Sequence, residues 1–415
     1  MSINFSVLSI LLVVSSGTAA TDDLLSDRSI QARIISNRTA QVTLTLNNQA
    51  QQPCSHTAVI VLHVRHRFLF GCNAFMLNSC PSRELENAYR IHFRKICNYA
   101  TLPFYWSSYE RTQGKPSQEK IAAMARWCHE NNITPKGHPL AWHECLPGWI
   151  MKMPSRQAYG QLSYRISREI NIFNNSITVW DVLNEPVVMP SYKTNGNPIA
   201  RYCANTGITA MINQTFRIAR NTGPRATLIL NDYNTSQRYA EIISNNLNAG
   251  TPIDAIGIQS HMHRGYWGKE KLWNVCNRFA RFGKPIHFTE LTITSSKGEE
   301  LQARQVAECY RILFSHPAVK AITWWDLSDR GAWRSAPAGL LRKDMTPKPA
   351  YHVLDKYINR KWRTGPLTLT TGKKGRVAFR GFLGTYHIIT DTTTNLITIS
   401  HPGSTNIMLQ ISSKN

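Results

Sequence analysis

Along residues 67–363 one pattern repeats. A short run of apolar, often β-branched or aromatic residues ends in polar side chains, and an amphipathic stretch follows. The runs are RFLFGCNAF, CNYATLPFYW, ITPKGHPLAWH, ITVWDVLNEP, ATLILNDYN, DAIGIQSHMH, PIHFTELTI and VKAITWWDLSD. Between them, segments such as SQEKIAAMARWCHENN, TGITAMINQTFRIARNTG, RYAEIISNNLNAG and ELQARQVAECYRILFSH space apolar residues three and four apart. Several of these finish in Gly or Asn, as helix ends do. Continuous apolar strands alternating with helices predict a parallel sheet covered by helices. Eight such units over roughly 300 residues predict an α/β fold of the (β/α)8 TIM barrel type. An open doubly wound sheet is the alternative. It would place a Gly-rich phosphate loop where FGCNAF stands, and that stretch has no such pattern. Polar and aromatic residues at the C-terminal end of nearly every run favour the barrel, which gathers those ends on one face.

The flanks differ. Residues 21–66 contain alternating stretches (AQVTLTLNN, AVIVLHV) and are expected to form a β-rich N-terminal segment. Residues 364–415 are rich in Thr, Gly and alternating apolar positions, which predicts a small β-rich C-terminal appendage; packing on the barrel is favoured over sugar binding as its role. Residues 1–20 read as a signal peptide: FSVLSILLVV is an apolar core too short to span a bilayer, and SSGTAA supplies small residues for cleavage. The expected protein is exported, secreted or periplasmic, with no membrane segment.

Composition narrows the partners. With 42% hydrophobic and 18% charged residues, disorder is excluded. The formal charge of +23 favours polyanions. Lys and Arg are scattered, TGKKGR being the densest cluster, and no RRM, KH or helix-turn-helix signature accompanies them. Nucleic acid is therefore not expected, and an acidic polysaccharide stays open. None of the nine cysteines forms a CxxC pair, so a structural zinc or thioredoxin-like site is not expected, and most read as small buried hydrophobes; no other metal or cofactor is expected. A monomer is expected.

The chemistry lies at the run ends. Glu185 closes the fourth run and Glu290 stands in the seventh, and barrel closure brings those ends across one mouth. Two facing carboxylates are the minimum apparatus for glycosidic cleavage, one to protonate the leaving oxygen, the other to attack the anomeric carbon or activate water. Taken together in order, GHPLAWH, WDVLNEP, NDYN, GIQSH and HFTEL resemble glycoside hydrolase family 10, the retaining endo-β-1,4-xylanase family. That resemblance implies Glu185 as acid/base and Glu290 as nucleophile, the charge of Glu290 raising the pKa of Glu185. It implies Asn184 on the sugar 2-hydroxyl, His261 on Glu290, Gln259 beside the sugar, and His138 and Trp142 lining the same subsite. Trp325 and Trp333 would close over the sugar, with Tyr233 as a wall on the leaving-group side. Asp181 reads as structural, and Trp127 and Trp273 as ordinary core. The chain departs from the family after the second run, where NYATLPFYWSSYE lacks the usual polar sugar ligands and offers Tyr105 and Trp106 for stacking. It also departs at Asp326, where Gly is common, and at Thr292, where Asp is usual. The implied substrate is xylan, with glucuronoxylan a further candidate given the charge. The same chemistry on another β-linked plant glycan, or a non-catalytic carbohydrate-binding protein on the same barrel, remains the alternative.

Overall fold

The computed structural model describes residues 24–412; the expected signal peptide lies outside them. Early in the described residues lies helix α1 (Asp27–Arg38), whose first turn is capped by Ser26 Oγ accepting the Ser29 N–H at 3.2 Å. This helix falls inside the stretch read as β-rich. Ile30 and Ile34 lie one helical turn apart and both bury against the barrel, so one face suffices where a strand would need alternation. Strands β1 (Thr39–Asn47) and β2 (Ala58–His66) follow.

The barrel is built from β3 (Leu69–Asn73), β4 (Tyr99–Pro103), β5 (Thr134–His138), β6 (Val179–Asn184), β7 (Thr227–Asp232) and β8 (Ala255–Ile258). The two-residue β9 (His261–Met262), β10 (Ile286–Ile293) and β11 (Val319–Trp324) follow. Neighbours pair in parallel from β11 through β3 to β8 and β10, and pairing of β10 with β11 closes the ring. Helices between strands include Gln118–Glu130, Ser155–Ile172, Ile208–Thr222, Gln237–Asn248, Gly268–Ala280 and Glu299–Ser315. Alternation along β6 sends Trp180 and Val182 out against the helices and Val179 into the barrel. Gly137 on β5 makes room for this: a β-carbon there would stand 2.1 Å from Trp180 Cζ3. Trp127 and Trp273 are buried on their helices.

After the barrel come β12 (Leu367–Thr370), β13 (Arg376–Phe382), β14 (Gly384–Ile389), β15 (Thr394–Ile399) and β16 (Gly403–Gln410). They do not form a unit by themselves. β1 lies between β13 and β16 in one sheet, and β2 lies between β12 and β14 in another. The two sheets share an apolar layer of Val42, Leu44, Val59, Val61, Phe379, Tyr386, Ile388 and Ile399. The two ends of the chain thus make one small sandwich. It is fastened to the barrel where β1 begins: Arg38 donates to the carbonyls of Phe314 (2.6 Å), His316 (2.6 Å) and Val319 (2.8 Å). All nine cysteines are unpaired, six of them buried. Among the described residues, no helix is long and apolar enough to cross a membrane.

Candidate active site

β6 ends at Asn184, and Glu185 leaves it with a backbone φ of +58°. A β-carbon makes that region costly by about 1 kcal/mol or more, so a glutamate there is held by its surroundings. Its N–H donates to the Asn231 carbonyl at 2.8 Å. The strand register shifts between Asp181 and Leu183 on β6 and again between Phe288 and Leu291 on β10. Such bulges re-aim side chains. Here they precede Asn184 and Glu185 on one strand and flank Glu290 on the other.

Asn231, last but one on β7, links the two sides. Its Nδ2 donates to Glu290 Oε1 and Asn184 Oδ1, each at 2.8 Å, while its Oδ1 accepts from Thr289 Oγ1 at 2.6 Å. Gln259 Nε2 donates to Asn184 Oδ1 and Glu185 Oε1, each at 3.1 Å. With the Asn184 side-chain carbonyl doubly occupied and its NH2 donating to Glu185 Oε1 at 3.4 Å, the second N–H of that amide is left to meet a ligand. His261 has Nε2 at 3.1 Å from Glu290 Oε2 and Nδ1 at 3.1 Å from Thr292 Oγ1, the latter fixed by β9 pairing His261 beside Thr292. His138 Nδ1 lies 2.7 Å from Asp181 Oδ2, which also accepts from Lys136 Nζ at 2.6 Å, and His138 Nε2 lies 3.9 Å from Glu290 Oε1. Asp181 therefore orients His138 from beneath, a fully buried acid between two basic side chains.

The two glutamates differ in electrostatics. Burial pushes the Glu185 carboxyl up to about 8; Gln259 and Trp142 oppose this weakly, and the charges of Glu290 and Asp232 add to it. Glu290 is also buried, but the fields of His138, His261 and Lys136 and the hydrogen bond with His261 outweigh that and hold it below the usual carboxylate range. Desolvation is the larger cause of the Glu185 shift, and the charge of Glu290 does raise it as well, as expected.

Both groups open into a cleft of about 970 Å³ at the mouth of the barrel. His138, Trp142, Asn184, Glu185, Tyr233, Gln259, His261, Glu290, Trp325 and Trp333 all line it. Aromatic rings form a near-continuous floor: Trp325 lies 5.5 Å from His138 and 5.8 Å from His261, and Trp333 lies 4.6 Å from His261. Tyr105 reaches the cleft, 5.6 Å from His138. Trp106 does not, which overturns its reading as a stacking residue: it is buried, donates from Nε1 to Glu110 Oε2 at 3.0 Å, and meets Trp149 edge-on. Asp326 accepts the Trp333 N–H at 3.0 Å and the Asn73 amide at 3.2 Å, which ties the Trp333 loop to the barrel.

Several residues in the cleft and buried behind it escaped the sequence reading. Asn231 stands beside the quoted Tyr233 in NDYN, and its strand-end position was the available signal. His143 is buried with both ring nitrogens unpartnered, Nε2 lying 3.8 Å from Glu185 Oε2, and burial lowers its pKa to about 4. Glu144, His263, Arg264, Tyr266, Trp267, Lys271 and Arg334 also line the cleft. His143, Glu144 and Glu185 bring possible metal ligands within 4.8 Å of one another. A cation there would compete with the proton that Glu185 holds up to about pH 8.

Comparison with known proteins gives the family. Residues 77–357 match the model of a family described as Glycosyl hydrolase family 10. An Endo-1,4-beta-xylanase/feruloyl esterase of Xylanibacter ruminicola is 27% identical over 51% of this chain and 35% of its own length. Endo-1,4-beta-xylanase B of Thermotoga neapolitana is 26% identical over 71% of this chain and 96% of its own. The chain thus spans about a third of the first relative and nearly all of the second. Among solved structures, native xylanase 10B from Thermotoga maritima superposes with a TM-score of 0.62 at 26% identity, covering 71% of this chain and 96% of that one.

The buried acid beneath the site generates a stability test. Asp181→Ala leaves Lys136 charged in the barrel interior without its partner, which should cost about 3–5 kcal/mol, read as an earlier denaturant midpoint. The double variant Lys136→Met/Asp181→Leu should recover most of it. A single variant that unfolds with the wild type would contradict the placement of this pair.

Proposed function

Given that this chain belongs to glycosyl hydrolase family 10, we propose that it is a retaining endo-1,4-β-xylanase, with Glu290 as nucleophile and Glu185 as acid/base. The observation that carries this reading is the unlike state of two carboxyl groups in one cleft. Glu290 is kept ionised by the basic groups around it, and Glu185 keeps its proton to about pH 8. Xylan comes to this chain from what its relatives are named for, and export from the N-terminal sequence.

In the first step the Glu290 carboxylate attacks the anomeric carbon as the glycosidic bond breaks, and Glu185 gives its proton to the departing oxygen. Asn184, its carbonyl held by Asn231 and Gln259, offers its NH2 to the 2-hydroxyl of the sugar, a contact that strengthens as positive charge develops on the ring. Esterification removes the Glu290 charge, and departure of the leaving sugar readmits water to Glu185. Both changes lower the pKa of Glu185, the second acting on the larger cause of its shift. Glu185 then takes a proton from water as that water attacks the anomeric carbon and frees Glu290. This double displacement needs carboxyl groups about 5–5.5 Å apart, leaving no room for a water between them.

The test is reducing-sugar release from xylan, with mixed-linkage glucan and mannan as competing substrates. Glu185→Gln and Glu290→Gln should each lower xylan turnover by about 10³-fold or more. Full activity in either variant, or no turnover of any glycan by the wild type, would refute the proposal, and preference for another glycan would move the substrate alone. The pH dependence follows from the same pair. kcat/KM requires Glu290 ionised and Glu185 protonated, so it should fall as pH rises through about 8 and, on the acid side, only below the usual carboxylate range. With an aryl xyloside whose leaving group needs no proton, Glu185→Gln should abolish the alkaline limb. An alkaline limb that survives this change belongs to another group.

A further inference from the structure

The cleft carries three cations that the chemistry above does not use. Arg264 follows β9, Lys271 lies in the first turn of the helix Gly268–Ala280, and Arg334 lies in the turn Trp333–Ser335 after β11. All three are exposed, and none has an ion pair or side-chain hydrogen bond within the described residues. Elsewhere arginines at the surface find acids, as Arg168 does with Glu110, Arg220 with Asp254 and Arg342 with Glu299. With 48 basic and 25 acidic residues, unpaired cations are common on this chain. These three are set apart by bordering the same concave wall.

Two of them are also held in place. Arg334 and Ser335 both adopt the left-handed backbone region, at φ of +60° and +52°. That conformation is costly for L residues by about 1 kcal/mol each, and the Trp333 N–H bonded to Asp326 anchors the turn that contains them. The Arg334 guanidinium then lies 5.4 Å from the Trp333 ring centroid, and Lys271 Nζ lies 4.7 Å from that of Trp267. Each cation thus stands at an indole bordering the cleft. An indole takes the apolar face of a pyranose, and a cation beside it takes a carboxylate on that sugar or its branch. Between them His263 lines the wall with Nε2 unpartnered, 5.0 Å from Trp333 ring to ring. Burial, with the fields of His261 and Arg334, lowers its pKa to about 4, so it adds a hydrogen-bonding group and no charge.

We propose that this wall is a uronate subsite, in which Arg264, Lys271 and Arg334 hold the carboxylate of an acidic side branch while the main chain lies across Glu185 and Glu290. The proposal rests on the xylanase reading and sharpens its substrate class to glucuronic-acid-bearing xylan. A branch is indicated because the cations lie at the exposed rim while the glutamates lie at the buried floor. Among the residues lining the cleft, these three are the lysine and arginine side chains able to meet a carboxylate there. The overall charge of +23 steers any polyanion toward the protein, but that long-range attraction is screened beyond about 10 Å at 0.1 M salt and cannot select where a branch sits.

The experiment compares kcat/KM on glucuronoxylan with that on neutral arabinoxylan, for the wild type and for Arg264→Gln, Lys271→Gln, Arg334→Gln and the triple variant. Mass spectrometry of the products is read alongside. The wild type should favour the acidic xylan, and each single variant should reduce the ratio several-fold, the triple variant by tenfold or more. Wild-type products should carry the uronic acid at one fixed distance from the cleaved end, and this register should scatter in the triple variant. Arg264→Lys should retain part of the preference. An equal ratio in wild type and triple variant, or an unchanged product register, overturns the subsite while leaving the xylanase reading intact. Failure of the wild type to cleave either xylan would instead strike the underlying function.

Discussion

The site depends on unequal treatment of two largely buried carboxyl groups that share one cleft. Removing water raises the pKa of both. Only Glu290 has basic groups arranged to reverse that effect: His261 at hydrogen-bond distance, His138 behind it, and Lys136 deeper in the barrel. Glu185 has amides, an indole and His143, which burial keeps uncharged, beside it, and keeps its proton. Much of the barrel interior serves this difference. Asp181 accepts from both Lys136 and His138 on one oxygen, so two basic groups can be buried under Glu290 while one of them is turned toward it. Asn231 and Gln259 then tie the polar surroundings of both glutamates together through Asn184.

Much of the fold was legible because barrel strands buried on both sides read as largely apolar runs, and the amphipathic stretches between them have helical period. The eight runs quoted from the sequence contain the eight strands of the ring. The terminal sandwich was not legible in the same way. β1 pairs with β13 and β16, partners more than three hundred residues away, and no local pattern specifies such pairing. Helix α1 was hidden for a different reason: its polar face is long, and its buried side carries two apolar residues, Ile30 and Ile34, beside the charged Arg38.

Within the site, strand-end position was the informative signal. It pointed to Glu185, Glu290, His138, Asn184, Gln259 and His261, all of which border one cleft. It failed in three instructive places. Trp106 sits at a strand end but enters a short helix, which turns its indole toward Glu110 and Trp149. Arg264, Lys271 and Arg334 come from loops and a helix start, where no periodicity singles them out. Desolvation, the main cause of the Glu185 shift, is a property of packing in three dimensions, so sequence neighbours point to the charge of Glu290 and miss the larger effect.

The central claim is that Glu290 forms a bond to the sugar while Glu185 handles the proton. It is tested most directly by trapping that bond with an aryl xylobioside bearing fluorine in place of the reacting sugar's 2-hydroxyl, which slows breakdown of the glycosyl-enzyme. The intact protein should gain the mass of one fluorinated disaccharide, and peptide mapping should put it on Glu290 within HFTEL. Label on another residue, or products released with inverted anomeric configuration and no label at all, would contradict the account.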